Sequence, residues 1–225
     1  METSIRVVDV LASILGLLIL SPLLITVVVI LTLTGEKKIF FLQPRVGNNG
    51  KIFNLIKFAT MLSNSDQCGT KELTLPNDER VLKFGKILRK TKLNELPQLI
   101  NVIKGDLSLI GPRPQTVRYF KYFKYDDATL IASVKPGVSG LASVLFRDEE
   151  KLFGNVNDPL KFDAEVVTPY KGQIERWFVE NRSLSLYLKL IGMTILAVLF
   201  NYQFNYWEIF KDLPSPPRSL SIAYK

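Results

Sequence analysis

The sequence predicts an α+β protein: a small, mostly helical domain with a short β-hairpin, attached to an apolar N-terminal membrane anchor. Three observations lead there. Residues 10–34 carry no charge and are dominated by Leu, Ile and Val. Residues 39–61 read as two short strands around Asn48-Asn49-Gly50. Residues 77–105 place apolar side chains at helical spacing. A length of 225 residues suits one ordinary domain with an appended element.

The anchor comes first. A helix over its 25 uncharged residues would extend about 37 Å, more than the roughly 30 Å of a bilayer core. A cleaved signal peptide fits poorly, since no small-x-small site precedes Gly35. Ser21-Pro22 falls at the middle of the run. Proline removes a helical N–H, and the Ser21 hydroxyl is placed to satisfy a carbonyl freed there. Arg6 precedes the run while Lys37, Lys38 and Arg45 follow it, so charge leaves two topologies open. A spanning helix with a tolerated kink is favoured on these grounds over a re-entrant hairpin.

In the hairpin, Asn48-Asn49-Gly50 supplies residues that tolerate positive φ. Residues 62–76 are polar and irregular, a loop. Asn77 or Asp78 is placed to cap a helix with Val81, Phe84 and Leu88 on one face. A second helix is expected from Asn94, with Leu96, Leu99, Ile100 and Ile103 as its stripe, Pro97 in its first turn and Gly105 as its stop. Leu184–Phe200, with Lys189 inside and Tyr187, Tyr202, Tyr206 and Trp207 around it, reads equally as an interfacial helix or a core helix. The tail with Pro214, Pro216 and Pro217 reads as an extended, poorly ordered end.

Composition narrows the chemistry. One cysteine, Cys68, excludes an intramolecular disulfide or thiolate cluster, and the absence of histidine removes imidazole catalysis and ligation. The net charge is +8, and between Arg80 and Lys124 eleven basic residues face two acidic ones, Glu95 and Asp106. Such clustering points to phosphate esters or anionic headgroups. Nucleic acid fits poorly beside a membrane anchor. Glu95 lies at an expected helix N-terminus among Arg89, Lys90 and Lys92, either as a functional carboxylate or as a first-turn acid behind an Asn94 cap. Prolines 112 and 114 stiffen the backbone around Arg113, a guanidinium suited to phosphate. Asp106 suits a hard cation or a turn cap equally. Arg147-Asp148-Glu149-Glu150 is either pocket lining or a surface turn.

Three blocks, residues 43–61, 78–114 and 135–144, resemble the bacterial sugar transferases, the monotopic polyprenyl-phosphate phosphoglycosyl transferases. The resemblance covers essentially the whole chain and is most specific over 78–114. It implies transfer of a sugar 1-phosphate from a UDP-sugar to undecaprenyl phosphate with release of UMP and a requirement for Mg²⁺. The setting implied is the cytoplasmic face of the bacterial inner membrane, at the first membrane step of exopolysaccharide, lipopolysaccharide or other glycoconjugate assembly. It further implies a re-entrant anchor over 1–36 broken at Ser21-Pro22, a catalytic domain over 37–200 with membrane-interface helices, and a tail over 201–225. Membrane lipids are partners on this reading, nucleic acid is not, and homo-oligomerisation is left open.

Site residues carry over as Glu95 and Asn94 for catalysis and Arg45, Lys57, Arg80, Arg89 and Arg113 for phosphate, with Asp106 and Glu95 for the metal. One departure matters: the family's pattern has a nucleophilic Asp where this chain has Asn94. A neutral amide lacks the anionic oxygen of a nucleophile. Three readings follow. Glu95 takes over as nucleophile or metal ligand, the two substrates react directly, or the chain is a non-catalytic membrane scaffold or regulator.

Overall fold

The computed structural model describes residues 2–65, 73–75, 77–154 and 156–221. Cys68 and most of the expected 62–76 loop lie outside the described residues.

Helix α1 (Glu2–Leu33) has 32 residues and is about 48 Å long. It is long and apolar enough to cross a bilayer. Its hydrogen-bonded helix runs on through Pro22. Ser21 Oγ donates to the Leu18 carbonyl at 2.8 Å, the acceptor that a residue-22 N–H would otherwise reach. A strip comprising Ile5, Asp9, Ser13, Val27 and Leu31 is buried, while Leu11, Leu15, Leu18, Ile19 and Ile25 stay exposed. Near the N-terminal end, Arg6 donates to the carbonyls of Val102 and Ile103. Asp9 accepts from Ser108 Oγ at 2.8 Å, from the Leu109 N–H at 3.0 Å and from the Tyr187 hydroxyl. Near the other end, Val27 and Leu31 pack on Phe58 and Leu88. Both ends of α1 thus rest on the same domain.

Strands β1 (Phe40–Val46) and β2 (Ile52–Phe58) pair antiparallel, from Phe40 opposite Phe58 to Val46 opposite Ile52. Asn49 and Gly50 take the positive φ values, 54° and 72°, expected of the turn. Helix α2 (Lys83–Lys90) starts later than its sequence suggests and has no side-chain cap. Asn77 adopts φ 58°, and the Asp78 carboxylate is taken by the N–H and guanidinium of Arg80. Val81 bridges to Met61 instead of entering the helix.

The helix expected from Asn94 is two pieces. Leu93–Glu95 is a 3₁₀ turn, and α3 (Gln98–Lys104) follows. Pro97 offers no N–H to the Leu93 carbonyl, which accepts from Leu96 instead and tightens the turn. Gly105, at φ 95°, ends α3 as expected. Strand β3 (Ser108–Ile110) comes next, then α4 (Val117–Phe120), α5 (Tyr125–Ala132) and β4 (Gly137–Ser139), which pairs parallel with β3.

The remaining α-helices are α6 (Leu141–Leu145), α7 (Pro159–Phe162), α8 (Thr168–Glu180), α9 (Leu184–Phe200), α10 (Tyr206–Ile209) and α11 (Arg218–Ser221), with a 3₁₀ helix at Glu149–Phe153 and a π-helical stretch at Asp163–Val167. The main core joins Leu141 and Val144 to Tyr170, Ile174, Phe178, Leu190 and Met193. Helix α9 buries Leu186, Leu190, Met193 and Ala197 and exposes Leu188, Ile195, Leu199 and Phe200, so one face is core and the other is open and apolar. The tail, expected as a loose end, packs back through Phe210, Leu213 and fully buried Leu220. The Pro214 carbonyl accepts from the Tyr170 hydroxyl and the Trp207 indole. Apolar residues spaced among the prolines outweigh the cost of ordering them.

Candidate active site

A cavity of about 510 Å³ opens between β1–β2, the turn at Leu93–Glu95 and α6. Its charged floor is Lys57, Glu95 and Arg113. Glu95 Oε1 lies 3.7 Å from Lys57 Nζ and 3.7 Å from Arg113 Nη2. Burial raises the Glu95 carboxyl, but Lys57, Arg113, Lys92 and Arg89 outweigh it and bring it down to about 2. Burial lowers the Lys57 ammonium to about 7, with Glu95 opposing.

Local structure explains how these side chains meet. Asn101 of α3 donates from Nδ2 to the Asn54 carbonyl and accepts the Ile56 N–H on Oδ1, fastening β2 to α3 beside Lys57. Arg113 is set by close backbone packing. The Gly111 N–H donates to Ser139, and the Gly137 N–H donates to the Pro112 carbonyl. A Cβ on Gly137 would lie 2.1 Å from Gly111 N, and one on Gly140 would lie 2.1 Å from Gly111 O, so this approach requires glycine. Arg45 Nη1 donates to the Pro114 carbonyl at 2.9 Å, and the Arg113 N–H donates to Glu175 Oε1 at 2.8 Å. Glu175 is buried, which pushes its carboxyl up to about 7.

Of the residues singled out by sequence, Arg45, Lys57, Arg89, Asn94, Glu95 and Arg113 all line the cavity. Arg80 does not; it pairs with Asp78 and donates to the carbonyls of Ser65 and Leu73, fastening the loop instead. Asp106 is also outside the lining; its carboxylate accepts from Asn101 Nδ2 at 3.1 Å, a side-chain contact back to α3 and not a cap on the turn that follows. The N–H of Glu95 is taken by the Lys92 carbonyl within the 3₁₀ turn, so Asn94 does not cap it. Arg147, Glu149 and Glu150 are lining; Glu149 pairs with Lys171 and Glu150 with Arg89 at 3.1 Å. Lys171, Ser143 and Glu175 were not legible. The one trace is the i, i+4 spacing of Lys171 and Glu175 on the apolar face of α8.

The Asn94 side chain is buried, and among the described residues its Oδ1 has no hydrogen-bond partner; nor has Ser143 Oγ, which also lines the cavity. The orphaned amide oxygen of Asn94 and the ionised carboxylate of Glu95 are both oxygens of the kind a hard cation takes, and both residues line the cavity. Mg²⁺ needs only one or two protein oxygens when phosphate and water complete its shell. Asn94 and Glu95 suit that group, and Asp106 lies outside the cavity lining.

The family profile described as bacterial sugar transferase matches residues 2–201. The chain belongs to the bacterial sugar transferases. Among similar members, the sugar transferase EpsL of Bacillus subtilis is 35% identical over 194 residues, covering 86% of each chain. The exopolysaccharide production protein ExoY of Sinorhizobium fredii is 32% identical, covering 86% of this chain and 84% of its own. The UDP-N-acetylgalactosamine-undecaprenyl-phosphate N-acetylgalactosaminephosphotransferase of Aeromonas hydrophila is 33% identical over 88% of this chain but only 44% of its own length. Sugar transferases named for undecaprenyl-phosphate chemistry therefore include longer proteins, of which this chain spans less than half.

Proposed function

We propose that this chain transfers a sugar 1-phosphate from a UDP-sugar to undecaprenyl phosphate and releases UMP. The observation that carries the reading is the Lys57–Glu95–Arg113 cluster inside a cavity whose lining also includes the exposed apolar residues Phe40, Phe41 and Leu42. The cations suit a diphosphate, and exposed apolar surface at the same cavity suits a prenyl chain. Membrane placement is supported by the exposed apolar faces of α1 and α9. An anchor that keeps both of its ends on one side of the bilayer, re-entrant or in-plane, is supported by the docking of both ends of α1 on one domain. A spanning helix would carry one end about 30 Å away from that domain.

The transfer we favour is direct. A phosphate oxygen of the lipid attacks the β-phosphorus of the donor; the bond from that phosphorus to the bridging oxygen breaks, and UMP leaves with the oxygen. Arg113 and Lys57 hold the non-bridging oxygens as charge redistributes. Glu95 keeps both cations in place, and with its carboxyl near 2 it is a weak base. Asn94 and Glu95 would hold Mg²⁺, which when bound neutralises phosphate charge. Asn94 itself offers no anionic nucleophile.

The test is a panel of UDP-sugars with undecaprenyl phosphate in vesicles, reading UMP release and trapping any sugar-phosphate adduct on the protein. Wild type is expected to release UMP with sequential kinetics and no adduct, whereas Asn94→Asp gains one. UMP release by Asn94→Asp alone would replace this reading with the non-catalytic scaffold.

A further inference from the structure

Glu175 lies behind the cavity, outside its lining. It is 1% exposed on α8, among Ile174, Phe178 and other core residues. Its Oε1 accepts the Arg113 N–H at 2.8 Å, and its Oε2 has no partner among the described residues. A carboxyl in this position is costly, because burial without full pairing disfavours the charged form. Core packing alone would be served by an apolar side chain.

The Arg113 backbone shows what the carboxyl does. In Gly111-Pro112-Arg113-Pro114 neither proline has an N–H, so between Gly111 and Gln115 the Arg113 N–H is the one main-chain donor. The other sides of this turn are held through carbonyls: Pro112 accepts from Gly137 and Pro114 from Arg45. Glu175 supplies the remaining hold. The guanidinium at the far end of the same residue faces Glu95.

We propose that Glu175 is a positioning residue, aiming the Arg113 guanidinium at the phosphate site by fixing the Arg113 main chain from behind. This rests on the transferase reading of the cavity, in which Arg113 touches the donor diphosphate. Glu175 touches no substrate and acts through Arg113.

Two substitutions separate positioning from support of the core. Glu175→Leu fills the space without an acceptor. Glu175→Gln keeps the acceptor and drops the charge. Equilibrium binding of UDP needs no turnover and is the primary measurement, with thermal unfolding and hydrogen exchange of the Arg113 amide alongside. Glu175→Leu is expected to weaken UDP binding about tenfold and to speed exchange of that amide. Glu175→Gln should stay within about threefold of wild type. In an Arg113→Ala background Glu175→Leu should have no further effect on binding, since the group it positions is gone. Where a UDP-sugar turns over, kcat/KM should fall about a hundredfold in Glu175→Leu, as misplacement of a catalytic group does.

Equal UDP binding by wild type and Glu175→Leu overturns the proposal. So does a loss that multiplies with Arg113→Ala, or one that tracks a lowered unfolding temperature in both Glu175 variants. Absence of turnover alongside the expected binding cycle would overturn the transferase reading and leave the Glu175–Arg113 coupling standing.

Discussion

Replacing Glu95 with Gln should destabilise the folded protein by about 3 kcal/mol at neutral pH. The carboxyl is brought from 4.5 to about 2, and each pKa unit corresponds to roughly 1.4 kcal/mol. The gross attraction is larger: at 3.7 Å each contact amounts to about 4 kcal/mol at an effective dielectric near 20. Burial of the charges takes back part of it, as the opposing effect of desolvation on Glu95 indicates. The Gln variant leaves Lys57 and Arg113 facing each other across a neutral amide, and Lys57 loses the neighbour that sustains its charge.

The assay is urea unfolding in mild detergent, followed by fluorescence of Trp177 and Trp207, at a series of pH values. Because the folded pKa of Glu95 is depressed, its stabilisation is fully present above about 4.5 and is lost as pH falls toward 2. Wild type should show that acid arm and Glu95→Gln should not. A Gln variant within about 0.5 kcal/mol of wild type at pH 7.5 would refute the electrostatic account of the cluster.

Lys57, with its ammonium near 7, is charged below that pH and loses charge above it, so kcat/KM for a UDP-sugar should decline as pH rises past about 7; Lys57→Arg should extend the plateau to higher pH, and an unchanged profile would remove Lys57 from donor binding. Asp9→Ala leaves the Leu109 N–H, Ser108 and Tyr187 without their shared acceptor and should cost about 3 kcal/mol or more in the same unfolding assay. Tyr187→Phe removes the hydroxyl's contacts to Asp9, Ser108 Oγ and the Ile110 N–H but leaves Asp9 its other two donors, and should cost about 1–2 kcal/mol.

Much of the site is legible before folding because it is local. The β1–β2 turn follows from Asn49 and Gly50, which reach positive φ cheaply, and the α3 stop from Gly105 for the same reason. The replacement of a helical donor by the Ser21 hydroxyl follows from Pro22. Arg45, Lys57, Arg89, Asn94, Glu95 and Arg113 were marked by charge clustering and by motif, and they do converge on one cavity. The failures come where one sequence signal has two physical outlets. Arg80 carries the same charge as Arg89, yet Asp78 two residues away captures it. Asp106 has a carboxylate suited to a cation, yet Asn101 reaches it first. Asn94 looked like a helix cap, yet Pro97 diverts the chain into a tight turn that buries its side chain.

The sequence by itself determined the chemistry on offer: no imidazole or thiolate cluster, a concentrated excess of cations around Glu95, an amide at residue 94, and an apolar N-terminal segment. These are properties of residue type and short spacing, and they survive any folding. Tertiary structure alone decided which charges meet. Glu95 comes within reach of Lys57 only because Asn101 ties β2 to α3, and Arg113 turns toward it only because glycine backbones pack at close range. It also placed both ends of α1 on one domain and brought Glu175 of α8, 62 residues along the chain, to the Arg113 N–H. Coulomb energies and hydrogen bonds depend on distances of a few ångströms between residues far apart in sequence, and packing sets those distances.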